Sequence, residues 1–456
     1  METKCNDRQL ELQGLGKRKI IVANDAEVSS SDGGLLLLQQ IERQFRIIDR
    51  LGICFIDNRN QSWVNHSLKT LLTQRIFGLC QGYEDLNDHD EWRKDPLLSV
   101  ICGNENGTYV AGKSTLNRLE LGKEITEEYG ARYSKITWDD ESIEELFIDV
   151  FLDSFNRAPK EIILDFDATE DPLHGEQEGR FFHGYYDCYC YLPLYVFSGP
   201  YLLTARLRQA NIDASAGSTE VLEKIVVKIR ERFPKARIII RGDSGFCRDE
   251  IMSFCERHGI YYVLGLARNK RLKRVISGQM YRVKQLFEQT GESQRQFSEL
   301  LYQTRKSWKR KRRVVAKAEH LQKGENPRFI VTNLPPKFWP AQMLYERIYC
   351  GRGDMENRIK EQQLYLFADR TSTAWMSSNQ LRLWFSSFAY MFFVLLREKA
   401  LGASEWNRSQ ASTLRIKLLK VSAVLKVTVR AVRIRLPYAY PYWDAWIRFA
   451  EASSFT

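Results

Sequence analysis

Apolar positions recur along this chain with two different periods, and the change between them divides it. In the first third they fall three and four residues apart. Gly33-Gly34 precedes Leu35 to Leu38 and Ile41, with Phe45, Ile47 and Ile48 following. Leu68, Leu71, Leu72, Ile76 and Leu79 make one stripe between Val64 and Gly82. Residues 1–155 are therefore expected to be mainly helical. From residue 160 the period shortens. Ile162, Ile163, Leu164 and Phe166 form a β-branched, apolar run that predicts a buried strand. Residues 179–187, 189–198 and 201–209 predict three more strands, whose short connections imply an antiparallel meander. A helix over 218–233 follows, with Val221, Ile225, Val226 and Ile229 inward. The pattern then gives a strand over 236–241, a helix over 248–258 and a strand over 260–266. Residues 271–340 break this rhythm with short β-like runs at 314–318 and 329–332, predicting a β-rich insertion. Long helices are expected over about 343–368 and 378–399. The apolar stretch from Leu383 to Leu396 is interrupted by Ser386 and Ser387 and is too short for a membrane span, so it reads as a buried core helix. The resulting division is 1–155, then 156–270 with 341–400, the insertion 271–340 and a basic region 401–456.

A hydrophobic content of 44% marks a folded chain, and a net charge of +11 over 456 residues favours a polyanionic partner such as nucleic acid or an anionic membrane surface. The first residues lack the apolar core of a signal peptide. Nine scattered cysteines without a Cys-x-x-Cys pair suit reduced thiols in the cytoplasm. Cys188-x-Cys190 and six dispersed histidines give no zinc ligand set of usual spacing, and His174 and His183 read as structural. The acidic run Glu84 to Glu91 reads as a solvated loop with helix caps. Gly107 to Ser114 matches the phosphate-loop pattern G-x4-G-K-[ST], with a strand-like run over 97–102 before it and a helix-like run over 115–121 after it. That pattern would make a nucleotide hydrolase using Lys113 and Ser114. The plainer reading is an Asn-rich turn capping a helix, with Lys113 and Arg118 free to meet phosphate.

The chemistry concentrates on three acids. Asp165 and Asp167 share one face of the strand around 162–166, because strand side chains alternate. Burying two carboxylates there is costly unless positive charge meets them. Asp243 follows the strand over 236–241. If those two strands lie side by side in a mixed sheet, their carboxyl ends bring Asp167 and Asp243 together, and Glu356, on the helix after the insertion, can join them. Three converging carboxylates suit two Mg²⁺ ions, with Mn²⁺ able to substitute, for an in-line phosphoryl displacement. Tyr349, Arg352 and Glu356 are spaced three and four apart on one predicted helical face. Arg352 can neutralise a phosphate as a bidentate donor, and Lys360, one turn on, can grip a DNA backbone. An Arg–Glu pair alone would be read as an ordinary solvated helix pair; the strand-borne aspartates reverse that preference.

These stretches together resemble a known family. Leu164 to Thr169, the aromatic run from Gly184 through Tyr195, Arg241-Gly-Asp-Ser-Gly-Phe246 and Tyr349 to Glu361 are similar to the DDE-type insertion-sequence transposases, in the branch with a Tyr-x2-Arg-x3-Glu-x6-Lys signature and nearest to insertion-sequence family 1380. Gly82 to Asp90 and Ser114 to Glu120 share the resemblance, which covers nearly the whole chain. It implies an α/β chain: an RNase H-like mixed-sheet catalytic core interrupted by a β-rich insertion, with a mainly helical N-terminal DNA-binding region. It implies Asp167, Asp243 and Glu356 as the triad, with Asp167 preferred over Asp165 because Thr169 follows it. It further implies Tyr349 and Arg352 as signature residues, double-stranded DNA (element ends and target) as partner, and a homodimer on DNA. The signature Lys falls on Gln363, so Lys360 is the substitute. The insertion is basic (Lys309, Arg310 and Arg312 among others), and Trp308 lies within that run, so it is expected to steady a cleaved end, with a base stacked on Trp308 or Trp339. The tail residues Arg415 to Arg435 are expected to help bind the element's ends. A transposase-derived DNA-binding protein without catalysis is the alternative.

Overall fold

The computed structural model describes residues 9–15, 18–23, 26–104, 108–123, 135–402 and 404–454. The chain forms two compact units, one from Met1–Ile48, Asn60–Leu119 and Leu395–Thr456, the other from Asp49–Arg59 and Glu120–Val394.

The first unit joins the N-terminal region to the basic tail. Its helix Leu68–Gln81 is capped by Ser67 and ends at Gly82, whose φ of 92° is costly for any residue with a Cβ. The region is less purely helical than its pattern suggests. Gln9–Leu15 and Arg18–Ala23 pair as an antiparallel hairpin, and Ser29–Ser30 joins a three-stranded sheet with Ala423–Thr428 and Ala431–Arg435. The phosphate-loop pattern fails on its context. Residues predicted as its leading strand form the helix Pro96–Ile101, because Asp95 accepts from the amides of Leu97 and Leu98 and Pro96 occupies the first turn. Lys113 begins a helix as expected, but its amine reaches Asn87 Oδ1 at 2.9 Å and Asp90 at 3.5 Å. The acidic run is a helix start, with Asp90 accepting the Lys113 amide at 2.9 Å.

The second unit is built on a nine-stranded mixed sheet. Its strands are β1 (Glu161–Ala168), β2 (Leu194–Ser198), β3 (Tyr201–Arg206), β4 (Arg237–Gly242), β5 (Tyr261–Leu266), β6 (Gln294–Tyr302), β7 (Arg312–Leu321) and β8 (Arg328–Thr332), with Gly324–Glu325 paired to β7. The order is β3-β2-β1-β4-β5-β8-β7-β6. Neighbours β1, β4 and β5 run parallel and the remaining pairs antiparallel. The predicted meander is present as β2 and β3, preceded by a small separate sheet of Asp171–Pro172, Phe181–His183 and Cys188–Tyr191. The insertion differs from expectation in two ways. It opens with the helices Lys270–Val275 and Ser277–Thr290, and its strands continue the main sheet through β5–β8 pairing instead of standing apart. β-branched Val314, Val315, Ile330 and Val331 are fully buried there, as a central strand pair requires.

One sheet face carries Ile239, Val263, Val315 and Ile330, and Leu344, Tyr345 and Ile348 cover it. The predicted single helix over 343–368 is broken at this cover. Leu344–Tyr349 is π-helical, Cys350–Arg352 is a 3₁₀ turn, and a regular helix runs over Gly353–Leu366. The cause lies in the sheet. Arg241 on β4 donates to the Ile348 carbonyl at 2.7 Å, a carbonyl that a regular helix would give to residue 352. The same guanidinium grips Asp165, its register partner on β1, at 2.5 and 2.6 Å. Gly351 is required at this contact, since a Cβ there would lie 2.6 Å from Arg241 Nη1. The helix Met376–Leu395 is buried along the predicted apolar stretch, with Phe388 stacked on Phe147 at 4.2 Å.

Arg241→Met leaves Asp165 buried without its cation and should cost about 3–5 kcal/mol in urea denaturation. The double variant Arg241→Met with Asp165→Leu should recover much of that loss. A single variant as stable as wild type would show that the pair does not hold these strands to the helix.

Candidate active site

The parallel register of β1 and β4 sets the site. Arg241 pairs with Asp165 and Gly242 with Phe166, so the next residues out of each strand, Asp167 and Asp243, emerge at the same end of the sheet. Arg241 holds the segment that leads into the helix Gly353–Leu366 at the Ile348 carbonyl, and that helix brings Glu356 over that end. Asp167, Asp243, Arg352, Glu356, Lys360 and Gln363 line one cavity of about 590 Å³. Asp243 caps the short turn Ser244–Phe246 by accepting the Gly245 amide at 2.8 Å. Asp165 does not reach the cavity; it is buried and held by Arg241.

Electrostatics at the site are strained by surplus negative charge. Arg352 spans it, reaching Asp167 Oδ2 and Glu356 Oε1 at 3.2 Å each. Burial pushes the Asp167 carboxyl up to about 6 against the pull of Arg352, and Asp243 and Glu356 add to the rise. Tyr349 lies beside these groups, its hydroxyl so close to β5 that a Cβ on Gly265 would meet it at 2.7 Å. Burial raises the Tyr349 hydroxyl, which stays protonated. A second cavity of about 400 Å³, lined by Asp243, Arg268, Arg328, Tyr349 and Arg352, adjoins the first through shared residues.

Residues 12–452 match the family model Transposase DDE domain group 1. The chain belongs to this DDE transposase family. No curated protein matches it. Among solved structures, a piggyBac transposase synaptic complex with hairpin DNA matches at a TM-score of 0.43 and 11% identity, over 84% of this chain and 79% of that one.

In this transposase the hard oxygen donors of Asp167, Asp243 and Glu356 fit Mg²⁺ by chemistry, and the raised Asp167 carboxyl marks charge that a cation would relieve. Among the described residues, no group of three or more His, Cys, Asp or Glu is drawn close enough to hold a metal ion as it stands; Arg352 provides the positive charge between two of the three acids. Of the residues expected to meet DNA, Tyr349, Arg352 and Lys360 are at the cavities and Arg118 is exposed. Lys113 is engaged with Asn87 and Asp90.

The insertion's residues are placed differently from expectation. Trp308 is only 5% exposed, packed edge-on against Tyr302 with Arg312 above its ring, so its face is closed to a base. Arg312 is buried in ion pairs with Asp249 and Glu256, and Arg310 also pairs with Glu256. A charge run is cheap to bury when a neighbouring helix supplies acids at matching positions, and Asp249–Arg257 does so here. Trp339 is partly buried against the sheet-face core. Lys309 remains exposed. Two features escaped the sequence. Arg241 stands in the sequence only as the start of a motif at a strand end, and its pairing with Asp165 comes from the parallel register. His183, Tyr185 and Tyr186 line the acid cavity from a hairpin whose fold the pattern did not resolve.

The raised Asp167 carboxyl gives a pH test. From its ordinary 3.8 to about 6 the folded state binds the extra proton, so wild-type stability falls as pH rises through that window. In chelator-containing buffer, Asp167→Asn should therefore be the more stable protein at pH 7–8, by up to about 3 kcal/mol, with the gap closing below about pH 4. Parallel stability–pH curves for the two proteins would show that Asp167 carries no such strain.

Proposed function

We propose that this chain is the transposase of an insertion sequence of the Tyr-Arg-Glu-Lys signature branch, near family 1380, and that it cuts and rejoins DNA with Asp167, Asp243 and Glu356. The observation that carries the reading is the parallel β1–β4 register, which delivers Asp167 and Asp243 to the cavity that Glu356 enters from the helix. The unit of Glu120–Val394 is then an RNase H-like core, extended by the strands of residues 271–340. The three carboxylates would hold Mg²⁺, which supplies activation of water and stabilisation of the leaving 3′ oxygen. The chain's own residues do the rest. Arg352 trades its carboxylates for a phosphate of the bound strand, as its planar fork permits. Tyr349, fixed over Gly265, donates its hydroxyl toward the same strand. Lys360 lines the cavity where the signature lysine is missing, and Gln363 instead donates to the Glu170 carbonyl at 3.2 Å.

End recognition is assigned to the other unit. There the N-terminal region and the basic tail fold together. Its hairpin of Ala423–Thr428 and Ala431–Arg435 exposes Lys426, Arg430 and Arg433, a charged strip suited to a DNA backbone. We further propose a cytoplasmic protein acting as a homodimer on paired element ends, with the freed 3′-OH joined to target DNA. No described helix is long and apolar enough to cross a membrane.

An excision assay in cells tests this reading, using a donor plasmid that carries the DNA flanking the gene. Wild type should excise, whereas Asp243→Asn and Glu356→Gln at matched expression should drop to background. Equal excision by all three proteins would remove the triad. End-specific binding without excision by any protein would identify a DNA-binding relative that no longer cuts.

A further inference from the structure

Exposed aromatic side chains concentrate on one short hairpin of the catalytic unit. Phe181–His183 and Cys188–Tyr191 pair antiparallel, and the stretch exposes Phe182 by 53%, Tyr185 by 84% and Tyr189 by 47%. The hairpin is firmly seated. Cys190 is buried with Leu192 and Ala210, and Tyr186 and Cys188 pack against them. Its turn closes where the Tyr186 and Asp187 amides both donate to the His183 carbonyl. Asp187 takes a left-handed φ of 56°, and Tyr185 stands at the tip. On the outer face Phe182 lies opposite Tyr189, their rings edge to face at 5.6 Å. The Arg180 guanidinium sits 4.8 Å over Tyr189.

Clustered exposed apolar rings mark a surface with an occupant. Two features on this hairpin choose it. Tyr185, Tyr186 and His183 line the same cavity as Asp167, Asp243 and Glu356, so the rings continue from the acids outward. The local charges suit bases and not phosphates: Glu176, Glu178 and Asp187 outnumber Arg180, which is tied to Glu176 and the Gly175 carbonyl. An exposed aromatic surface leading out of the acid cavity fits the faces of nucleobases better than phosphates.

We propose that this hairpin is a stacking platform for unpaired bases of the DNA strand that leaves the cavity, with Tyr185 taking the nearest base and the Phe182–Tyr189 pair the next. The proposal rests on the DNA-processing reading above and adds the part of the substrate it grips: single-stranded bases beside the reacting phosphate. It moves base stacking from the insertion, where Trp308 is buried, to the edge of the acid cavity.

The test uses the full-length chain in chelator-containing buffer, where no cutting occurs. Binding is compared by fluorescence anisotropy for a blunt duplex and for the same duplex with a single-stranded oligo(dT) tail, with 2-aminopurine placed in the tail. The tail should improve affinity by about tenfold, the value of one well-stacked base, and the 2-aminopurine should be quenched on binding. Tyr185→Ala and Phe182→Ala, checked for folding by circular dichroism, should each lose most of that ratio, and Tyr185→Trp should keep it. A tail that adds no affinity, or a ratio that survives both alanine variants, overturns the platform. If those variants instead lose self-association in sedimentation while the ratio persists, the hairpin contacts a second copy of the chain and the proposal is wrong. Asp243→Asn separates the two readings: it should keep the tail preference while losing excision, so either can fail without the other.

Discussion

The buried pairing of Arg241 with Asp165 is the constraint from which the site follows. Two parallel strands alone would place Asp167 and Asp243 side by side, but nothing in a sheet fixes a helix that returns after more than a hundred residues. Arg241 does so with one planar group. Two of its N–H donors are satisfied by Asp165 and another by the Ile348 carbonyl. A buried ion pair is weak evidence for stability, because desolvation offsets most of its attraction. Its value here is geometric. The donors of a guanidinium leave in fixed directions, so the strand pair dictates where the segment Leu344–Arg352 lies. The departure from regular helix in that segment is the local cost of obeying it, and it turns Tyr349 and Arg352 toward the strand ends.

This arrangement also explains why two aspartates two residues apart on one strand have different fates. Alternation puts Asp165 and Asp167 on the same face, and that face is covered by the Leu344–Ile348 segment as far as Arg241 reaches. Asp165 lies under the cover and is neutralised by a protein cation. Asp167 lies just beyond its edge, half in the cavity, where its partners are Arg352 and two further acids. The strand that supplies the cation for the inner aspartate is the one that ends in Asp243. One register therefore sets both the structural pair and the pair of acids at the cavity.

Much of this was legible in the sequence, for physical reasons that differ by element. The strand around 162–166 and the buried helix around Leu383–Leu396 came from apolar runs long enough to have one stable placement, whereas the adjacency of the two aspartate-bearing strands was only a possibility until the parallel register fixed it. The helix Pro96–Ile101 was missed because a short apolar run has no period of its own; the Asp95-Pro96 cap decided it. The insertion was misjudged because a cluster of arginines reads as a surface until the acids of another element are placed beside it. Asp249 and Glu256 lie more than fifty residues before the arginines they pair with, and no local pattern connects them. The role of Trp308 failed with the same error, since Arg312 and Tyr302 close over its ring.

Arg352 shows how such a site can be stable before it is loaded. Three carboxylates share one cavity, and burial first, with Asp243 and Glu356 adding to it, drives the Asp167 carboxyl toward its protonated form. Arg352 limits that penalty by bridging Asp167 and Glu356. Those contacts use one N–H of Nη1 and one of Nη2, so three of its five donors remain for a phosphate. On the transposase reading, Asp167, Asp243 and Glu356 would hold the cations that offset this repulsion, and Arg352 could then turn its fork to a phosphate of the DNA strand. Lys360, on the same helix, lines the same cavity. The position of Arg352 follows in turn from the segment Leu344–Arg352, which Arg241 holds at the Ile348 carbonyl from the sheet beneath it.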